Sequence, residues 1–459
     1  MEPRAEWRVL LGSRRNASVI LLAMAALVWP CPAQELAPDV VLLAHVKTHL
    51  REALAHLPNY TCLETMERSA KPPGKGPLKR LDTVRLEVLY SGGSELYASP
   101  GDRRFQERDP STFTSSGLMS TGVFAMHLKA VFLSGNAIFT WRGEEELEGR
   151  RVARYDFQLP PLVSGLSIRI AGGSGTAGMK GSAWVDPESL DVLRLEDHAY
   201  EIPAFLAVRD ASTIVNYART RVGAEDVMLP QEGVIRMLGT SGEENRNTFA
   251  FTHCRAFETQ SSLNFDAVAA APAAPASPAA AAGARELAKL LPAGLEIPIV
   301  LAAPVTEKTA VGDLIEGKIA SDIVQSGRTL IPKGAVARGR VRRLEQHAET
   351  GRYFAVGLEI TEIETGGERF QFYADLTKVD PIPGFEWTLT NTSTKTETSN
   401  AMAGVGGRGA RMSGQVRVTE GEKLTLPDLP GVGSFFIRGD RLLLPAGFQM
   451  VWRTRSPAK

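Results

Sequence analysis

After Pro58 the spacing of apolar residues changes from helical to alternating, and it stays alternating through most of the 459 residues. This switch constrains the fold more than any other feature, because a period near 3.6 and a period of 2 demand different backbones. Before it, Leu43, Val46, Leu50, Leu54 and Leu57 fall on one stripe of a helix expected over about residues 39–57. Pro38 sits near its start and Pro58 ends it. After it, alternation predicts strands at 60–67, 82–89, 95–99, 138–144, 150–159, 181–187, 192–198, 212–220, 234–238 and 247–258. One interruption, through Val123, Met126, Leu128, Val131 and Phe132, returns to helical spacing at 121–133. Gly and Pro are plentiful and heptads are absent, so the expected class is mainly β with a minority of helix (α+β).

The chain begins with Arg4, Arg8, Arg14 and Arg15, followed by an uncharged, mostly apolar run from Ala17 to Trp29. Pro30 and the small residue Ala33 then precede Gln34. That order reads as a secretory signal over residues 1–33, and a run of 13 residues is short of the roughly 20 that a membrane span needs. The expected location is periplasmic or secreted, with no integral membrane span after cleavage. Without the signal the chain carries 48 basic and 50 acidic residues. That balance lacks the basic surplus of a nucleic-acid binder, so nucleic acid is excluded as a partner.

Outside the signal there are two cysteines, Cys62 and Cys254. An even pair in an exported chain reads as a disulfide. It would tie the first strand of an N-terminal domain to its last. That domain is expected over residues 34–265. Ala, Pro, Val and Ser then dominate 266–284, where Pro272, Pro275 and Pro278 interrupt any helix and leave an extended linker.

A second domain, 285–459, opens with a short helix at 286–290 and then reads as strand and turn throughout. One phrase recurs: Leu291-Pro292-Ala293-Gly294, Ile331-Pro332-Lys333-Gly334 and Leu444-Pro445-Ala446-Gly447. Each is read as a type I turn, with Pro second and Gly fourth, that launches a strand. Strands at 296–301, 314–320, 337–345, 353–363, 369–375 and 448–454 suggest a small barrel or sandwich. Residues 388–414, rich in Thr, Ser, Asn and Gly, are expected to be a flexible insertion.

No catalytic or metal motif holds up. Gly404-Val405-Gly406-Gly407-Arg408-Gly409 has the form of a dinucleotide loop, but it lies in low-complexity sequence inside a β domain. In Gly173 to Lys180, Met179 separates Gly178 from Lys180 and breaks the phosphate-loop pattern. His45, His49 and His56 share a helix face that could ligate metal, yet it lies opposite the leucine stripe and reads as solvated. Asp186 reads as a turn residue. No serine sits in a nucleophile elbow, and neither thiol has a catalytic partner in sequence. No cofactor is implied.

Several of these segments together resemble a known family. The early amphipathic helix, the strand beginning Tyr60-Thr61-Cys62, and Gly181-Ser182-Ala183-Trp184-Val185-Asp186 followed by Leu190-Asp191-Val192-Leu193-Arg194-Leu195-Glu196 resemble the periplasmic lipoprotein-carrier superfamily, which includes the outer-membrane lipoprotein carrier and receptor. Val227-Met228-Leu229-Pro230-Gln231 before a strand also suits it. The resemblance implies an incomplete antiparallel barrel around helices, with an apolar cavity for acyl chains. Leu291-Pro292-Ala293-Gly294 with Gly312-Asp313, Leu330 to Gly334 and Gly339-Arg340-Val341 are more faintly similar to the periplasmic β domain of type IV secretion channels.

The function expected from all this is non-enzymatic: an exported protein whose first domain holds an apolar ligand, such as an acyl chain or a lipidated partner. Candidate lining residues are Leu86, Val88, Phe124, Met126 and Trp184. The rival reading is an envelope assembly protein that binds other envelope proteins through its β domains. A hydrolase with an unrecognised site would declare itself by a buried His–carboxylate or Ser–His pair.

Overall fold

The computed structural model describes residues 36–74, 76–102, 105, 113–114, 118–119, 126–170, 173–257, 289–348, 351–390, 423–424 and 431–457. The expected signal, the linker 266–284, Phe124 and the glycine-rich run at 404–409 lie outside them, as does nearly all of the insertion 388–414. The chain parts into two compact units, Met1–His45 and Val46–Lys459. The architecture is mostly β, as the alternation requires.

In the first unit, Ala37 accepts the first helical hydrogen bonds, from the N–H groups of Val40 and Val41. Helix α1, Pro38–Ala55, starts with a proline whose missing N–H is no loss at a helix start. It runs on into the second unit, where Pro58 prevents its extension.

The second unit begins with a ten-stranded antiparallel sheet. Its strands are β1 (Tyr60–Lys71), β2 (Lys79–Ser91), β3 (Ser94–Ala98), β4 (Ile138–Leu147) and β5 (Arg150–Leu159). After a small hairpin of β6 (Ser167–Ile170) and β7 (Gly173–Thr176) come β8 (Gly178–Val185), β9 (Val192–Tyr200), β10 (Val208–Val222), β11 (Glu225–Gly239) and β12 (Glu244–Ala256). The order across the sheet is β3-β2-β1-β12-β11-β10-β9-β8-β5-β4, so β3 and β4 are its edges. The segment Val227 to Gln231 does not precede a strand; it lies inside the 15-residue β11. A helix expected at 121–133 is described from residue 126 on, as α2 (Met126–Leu128) and a π-turn at Lys129–Leu133 that buries Leu128, Val131 and Phe132.

Cys62 and Cys254 are disulfide-bonded across the neighbouring strands β1 and β12. Thr61 faces Arg255 and Leu63 faces Thr252, so Cys62 stands opposite two residues, His253 and Cys254. This is a β-bulge, and His253 takes φ 53° to make it. The bulge is what lets β12 present Cys254 to β1.

The second ten-stranded sheet curls into a half-barrel. Its main path runs Lys289–Leu290, Glu368–Gln371, Tyr353–Thr365, Val336–His347, Leu314–Ile319, Glu296–Leu301, Gln449–Thr454 and Ala374–Val379. Val432–Arg438, which alternation did not reveal, pairs with Tyr353–Thr365. The ends draw together where Gly433 gives room to the Leu376 side chain, but no hydrogen-bonded seam joins them among the described residues. The helix expected at 286–290 is not found at its end: Lys289–Leu290 is a strand parallel to Glu368–Gln371.

The repeated Pro-x-Gly phrase is a turn of a different type from the one expected. Pro332 and Pro445 each accept the N–H of the residue after the glycine, Ala335 and Phe448. The glycine is therefore third in the turn. Gly334 and Gly447 have φ 88° and 86°, the positive value a type II turn requires at that position.

The two sheets touch at the open side of β2. Strand β3 covers only Glu87 to Ser91 of β2, which leaves an unpaired edge beyond. Val311, from the second sheet's connecting loop, pairs with Val84 there. Val311 donates its N–H to Thr83 O and accepts from Arg85 N–H, both at 2.8 Å. Side chains reinforce the join. Arg85 Nη1 donates to both oxygens of Asp313 at 2.7 and 2.8 Å, and Arg340 donates to Pro100 O at 2.5 Å and Asp102 at 2.7 Å. An edge that would otherwise invite pairing with another chain is thus closed within the molecule.

Candidate functional site: an apolar pocket beside Asp191

A cavity of about 250 Å³ opens between the C-terminal half of α1 and one end of the first sheet. From the helix come Leu50, Ala53 and Leu54, and from the segment just after it Leu57. Their spacing puts them on one stripe, but only Leu50 is fully buried; Leu54 and Leu57 remain half-buried. From the sheet come Val192 of β9 and Val227, Met228 and Leu229 of β11, with Tyr60 and Leu128 also against the cavity. The bed is apolar, and its border carries the titratable side chains of His49, His56, Asp191, Arg219, Glu225 and Asp226.

The polar border is organised by Asp191, which is 6% exposed. It sits at the end of the tight turn between β8 and β9. Asp186 begins that turn as expected, its Oδ1 accepting the N–H groups of Glu188 and Ser189. Asp186 N–H then donates to Asp191 O at 2.9 Å, which fixes where the Asp191 carboxylate points. Oδ1 lies 3.1 Å from His49 Nε2 on the helix. Oδ2 accepts from Arg219 Nε at 3.0 Å and Nη2 at 2.8 Å. One carboxylate therefore ties α1 to β10. The reading of His49 as solvated is corrected: it is half-buried, because it lies one residue from Leu50 at the margin of the buried stripe. His45 and His56 are exposed.

None of the four described lining candidates borders this cavity. Leu86 and Val88 are buried on β2, facing Glu64 and Cys62 of β1 across the ladder. Met126 is 51% exposed. Phe124 is outside the described residues. Trp184 stands in the same cross-strand row as Arg154 and Arg194, whose guanidinium groups lie 5.3 and 5.6 Å from its ring, and its Nε1 donates to Glu145. Trp184 is itself buried, between two half-buried guanidinium groups, on the face opposite Tyr155, Phe157 and Ala183. The pocket residues that were missed did carry signals. Leu190, Asp191 and Val192 belong to the hairpin phrase, and Val227, Met228 and Leu229 to the later one.

The sheet also buries titratable groups. Tyr60, Tyr90 and Glu95 form one row across β1, β2 and β3. Burial, and then the nearby Glu95, push the Glu64 carboxyl up to about 8. His127 Nε2 lies 3.0 Å from Asp197 Oδ2, with Asp197 buried and His127 mostly so. Burial alone would lower the imidazole pKa, but the Asp197 carboxylate, helped by Glu95, outweighs it and raises it.

His127–Asp197 and His49–Asp191 are His–carboxylate pairs of the kind that would announce a hydrolase. Their geometry differs from that of a catalytic triad. In both, the carboxylate meets Nε2, whereas a catalytic triad orients its histidine through Nδ1 and leaves Nε2 for the nucleophile. Among the described residues no cluster of three His, Cys, Asp or Glu side chains could hold a metal ion. No described helix is long and apolar enough to cross a membrane.

No protein-family model matches the chain, and no curated protein matches it in sequence. Solved structures do. A domain described as an outer membrane lipoprotein-sorting protein from Vibrio parahaemolyticus is 13% identical, covering 49% of this chain and 95% of its own, with a TM-score of 0.26. A DUF1329 family protein from Desulfovibrio piger is 10% identical, covering 48% and 94%, with a TM-score of 0.27. A LolA superfamily protein from Nitrosomonas europaea is 11% identical, covering 47% and 94%, with a TM-score of 0.25. Two of the three carry descriptions of the kind that the first half of the sequence resembles. The fainter secretion-channel resemblance of the second half finds no support among them. The reading of the site rests on the pocket, not on these likenesses.

Proposed function

We propose that this protein is an exported, non-enzymatic binding protein that holds an apolar ligand, an acyl chain or the lipid of a lipidated partner, in the pocket between α1 and the first sheet. The observation that carries the reading is the pocket itself. Its volume of about 250 Å³ exceeds the roughly 150 Å³ that accommodates benzene and falls just below the range of drug-sized sites. It therefore suits one short apolar chain, or the end of a longer one. Half-buried Leu54 and Leu57 would lose their remaining exposed surface to such a ligand, and apolar burial of that kind contributes about 25 cal/mol per Å². The opposite histidine orientation at Asp191 and Asp197 supports binding over hydrolysis.

The location proposed is the periplasm or the cell exterior, on the strength of the N-terminal segment and the Cys62–Cys254 bond, which suits an oxidising compartment. To test the function, the protein would be purified from its native envelope, extracted with organic solvent, and the extract examined by mass spectrometry. Stoichiometric lipid is expected. An empty extract, together with no uptake of an added apolar fluorophore, would end the proposal.

A further inference from the structure

The charges around the pocket are unevenly matched. Arg219 borders it, but its guanidinium is already engaged by Asp191 through two N–H groups. Glu225 and Asp226, at the start of β11, border it too and are exposed. Arg221 approaches Asp226 at 3.7 Å and offsets one of them. His56 turns its Nδ1 to Glu52 O in its own helix. Three carboxylates thus stand at the border of an apolar bed, against one bordering guanidinium that is already paired and one more just outside.

We infer that the pocket selects apolar ligands whose polar end is uncharged or cationic, and disfavours those ending in a carboxylate or phosphate. The inference rests on the proposed binding function and adds the class of ligand. An anionic end would approach Glu225 and Asp226, while the guanidinium groups of Arg219 and Arg221 already face carboxylates. An alcohol, ester or amide could hydrogen-bond to the carboxylates, and an ammonium group would gain from them. Because these carboxylates are exposed, the preference is modest and weakens with salt.

The test uses the full chain at pH 8 and a neutral reporter, N-phenyl-1-naphthylamine, displaced in turn by decanol, decylamine and decanoate. The three share one chain length and differ only in the end group. At low ionic strength decanol and decylamine are expected to displace the reporter at concentrations about fivefold below decanoate, the factor that one unit charge at about 4 Å produces in water-like surroundings. At high salt the gap should close. The double variant Glu225→Gln/Asp226→Asn should bring decanoate up to decanol and leave decanol unchanged. Decanoate binding as well as or better than decanol in the unmodified protein would overturn the end-group preference alone. If the reporter binds nowhere, or no ligand displaces it, the pocket reading itself is overturned along with it.

Discussion

His49 on α1 reaches Asp191, 142 residues further along the chain, with Nε2 3.1 Å from Oδ1. The other oxygen of that buried carboxylate serves Arg219 of β10. The polar border of the pocket therefore doubles as the fastening of its helical wall. Removing the carboxylate leaves two donors without their acceptor and frees the end of α1.

Asp191→Ala is accordingly expected to destabilise the protein by about 1–3 kcal/mol, the range for losing hydrogen bonds to a charged group. Urea unfolding would measure it. Hydrogen exchange should quicken first at His49 to Ala55, because that half of the helix loses its anchor. An unchanged midpoint with unchanged exchange would mean that the apolar stripe alone holds the helix.

The join between the two sheets depends on Gly312, which has φ 98° and lies against the Arg85 carbonyl oxygen. A methyl there would overlap that oxygen and also strain the backbone. Gly312→Ala should cost about 1–3 kcal/mol and loosen the second sheet from β2. Calorimetry should then show the unfolding transition broadening or splitting. Arg85→Ala should cost less than about 1 kcal/mol, since the Arg85–Asp313 pair is partly exposed.

Glu64 makes stability depend on pH, with a definite sign. Its folded carboxyl is raised from 4.5 to about 8, so the folded state keeps a proton that the unfolded chain releases. The stability this group contributes is full below about pH 4.5 and is lost as pH climbs to about 8. His127 acts in the same direction, since its raised pKa contributes stability that is lost as pH rises through it. Glu64→Gln should flatten the decline between pH 5 and 8. A variant that unfolds with the same pH slope as the parent would show that Glu64 is not the group responsible.

Reduction of Cys62–Cys254 should be costly. The bond closes a sequence separation of 192 residues, for which chain entropy gives roughly 5 kcal/mol and measured losses run about 2–5. Cys62→Ser/Cys254→Ser, compared with the parent by denaturant unfolding, would place the value. A midpoint shift near zero would show that the β1–β12 ladder needs no covalent support.

Much of the fold could be read from alternation because alternating sheets write their faces into the chain. Arg150–Leu159 and Glu296–Leu301 fall where the pattern put them. Val432–Arg438 did not show itself, because it is buried on both faces at Phe435 and Phe436 and lacks a clean period of 2. The same holds for the type of the Pro-x-Gly turns: composition marks the turn, while the hydrogen-bond register decides which position the glycine occupies. Trp184 shows a deeper limit. Alternation says that it shares a face with Ser182, but not which face looks inward, and its neighbours Arg154 and Arg194 become visible only once β5, β8 and β9 are aligned. The pocket was hidden for the same reason. Leu54, Asp191 and Met228 come from three distant segments, and each alone reads as an ordinary helix, turn or strand residue.

The central claim is that the space between Leu54 and Met228 takes up an apolar ligand. The most direct measurement is a fluorescence titration of the purified protein with N-phenyl-1-naphthylamine, alongside Leu54→Trp, whose larger ring should fill the cavity. The account predicts saturable uptake at one site by the parent and its loss in Leu54→Trp, with the variant still folded by circular dichroism. Uptake that is absent in the parent, or undiminished in the folded variant, would contradict it.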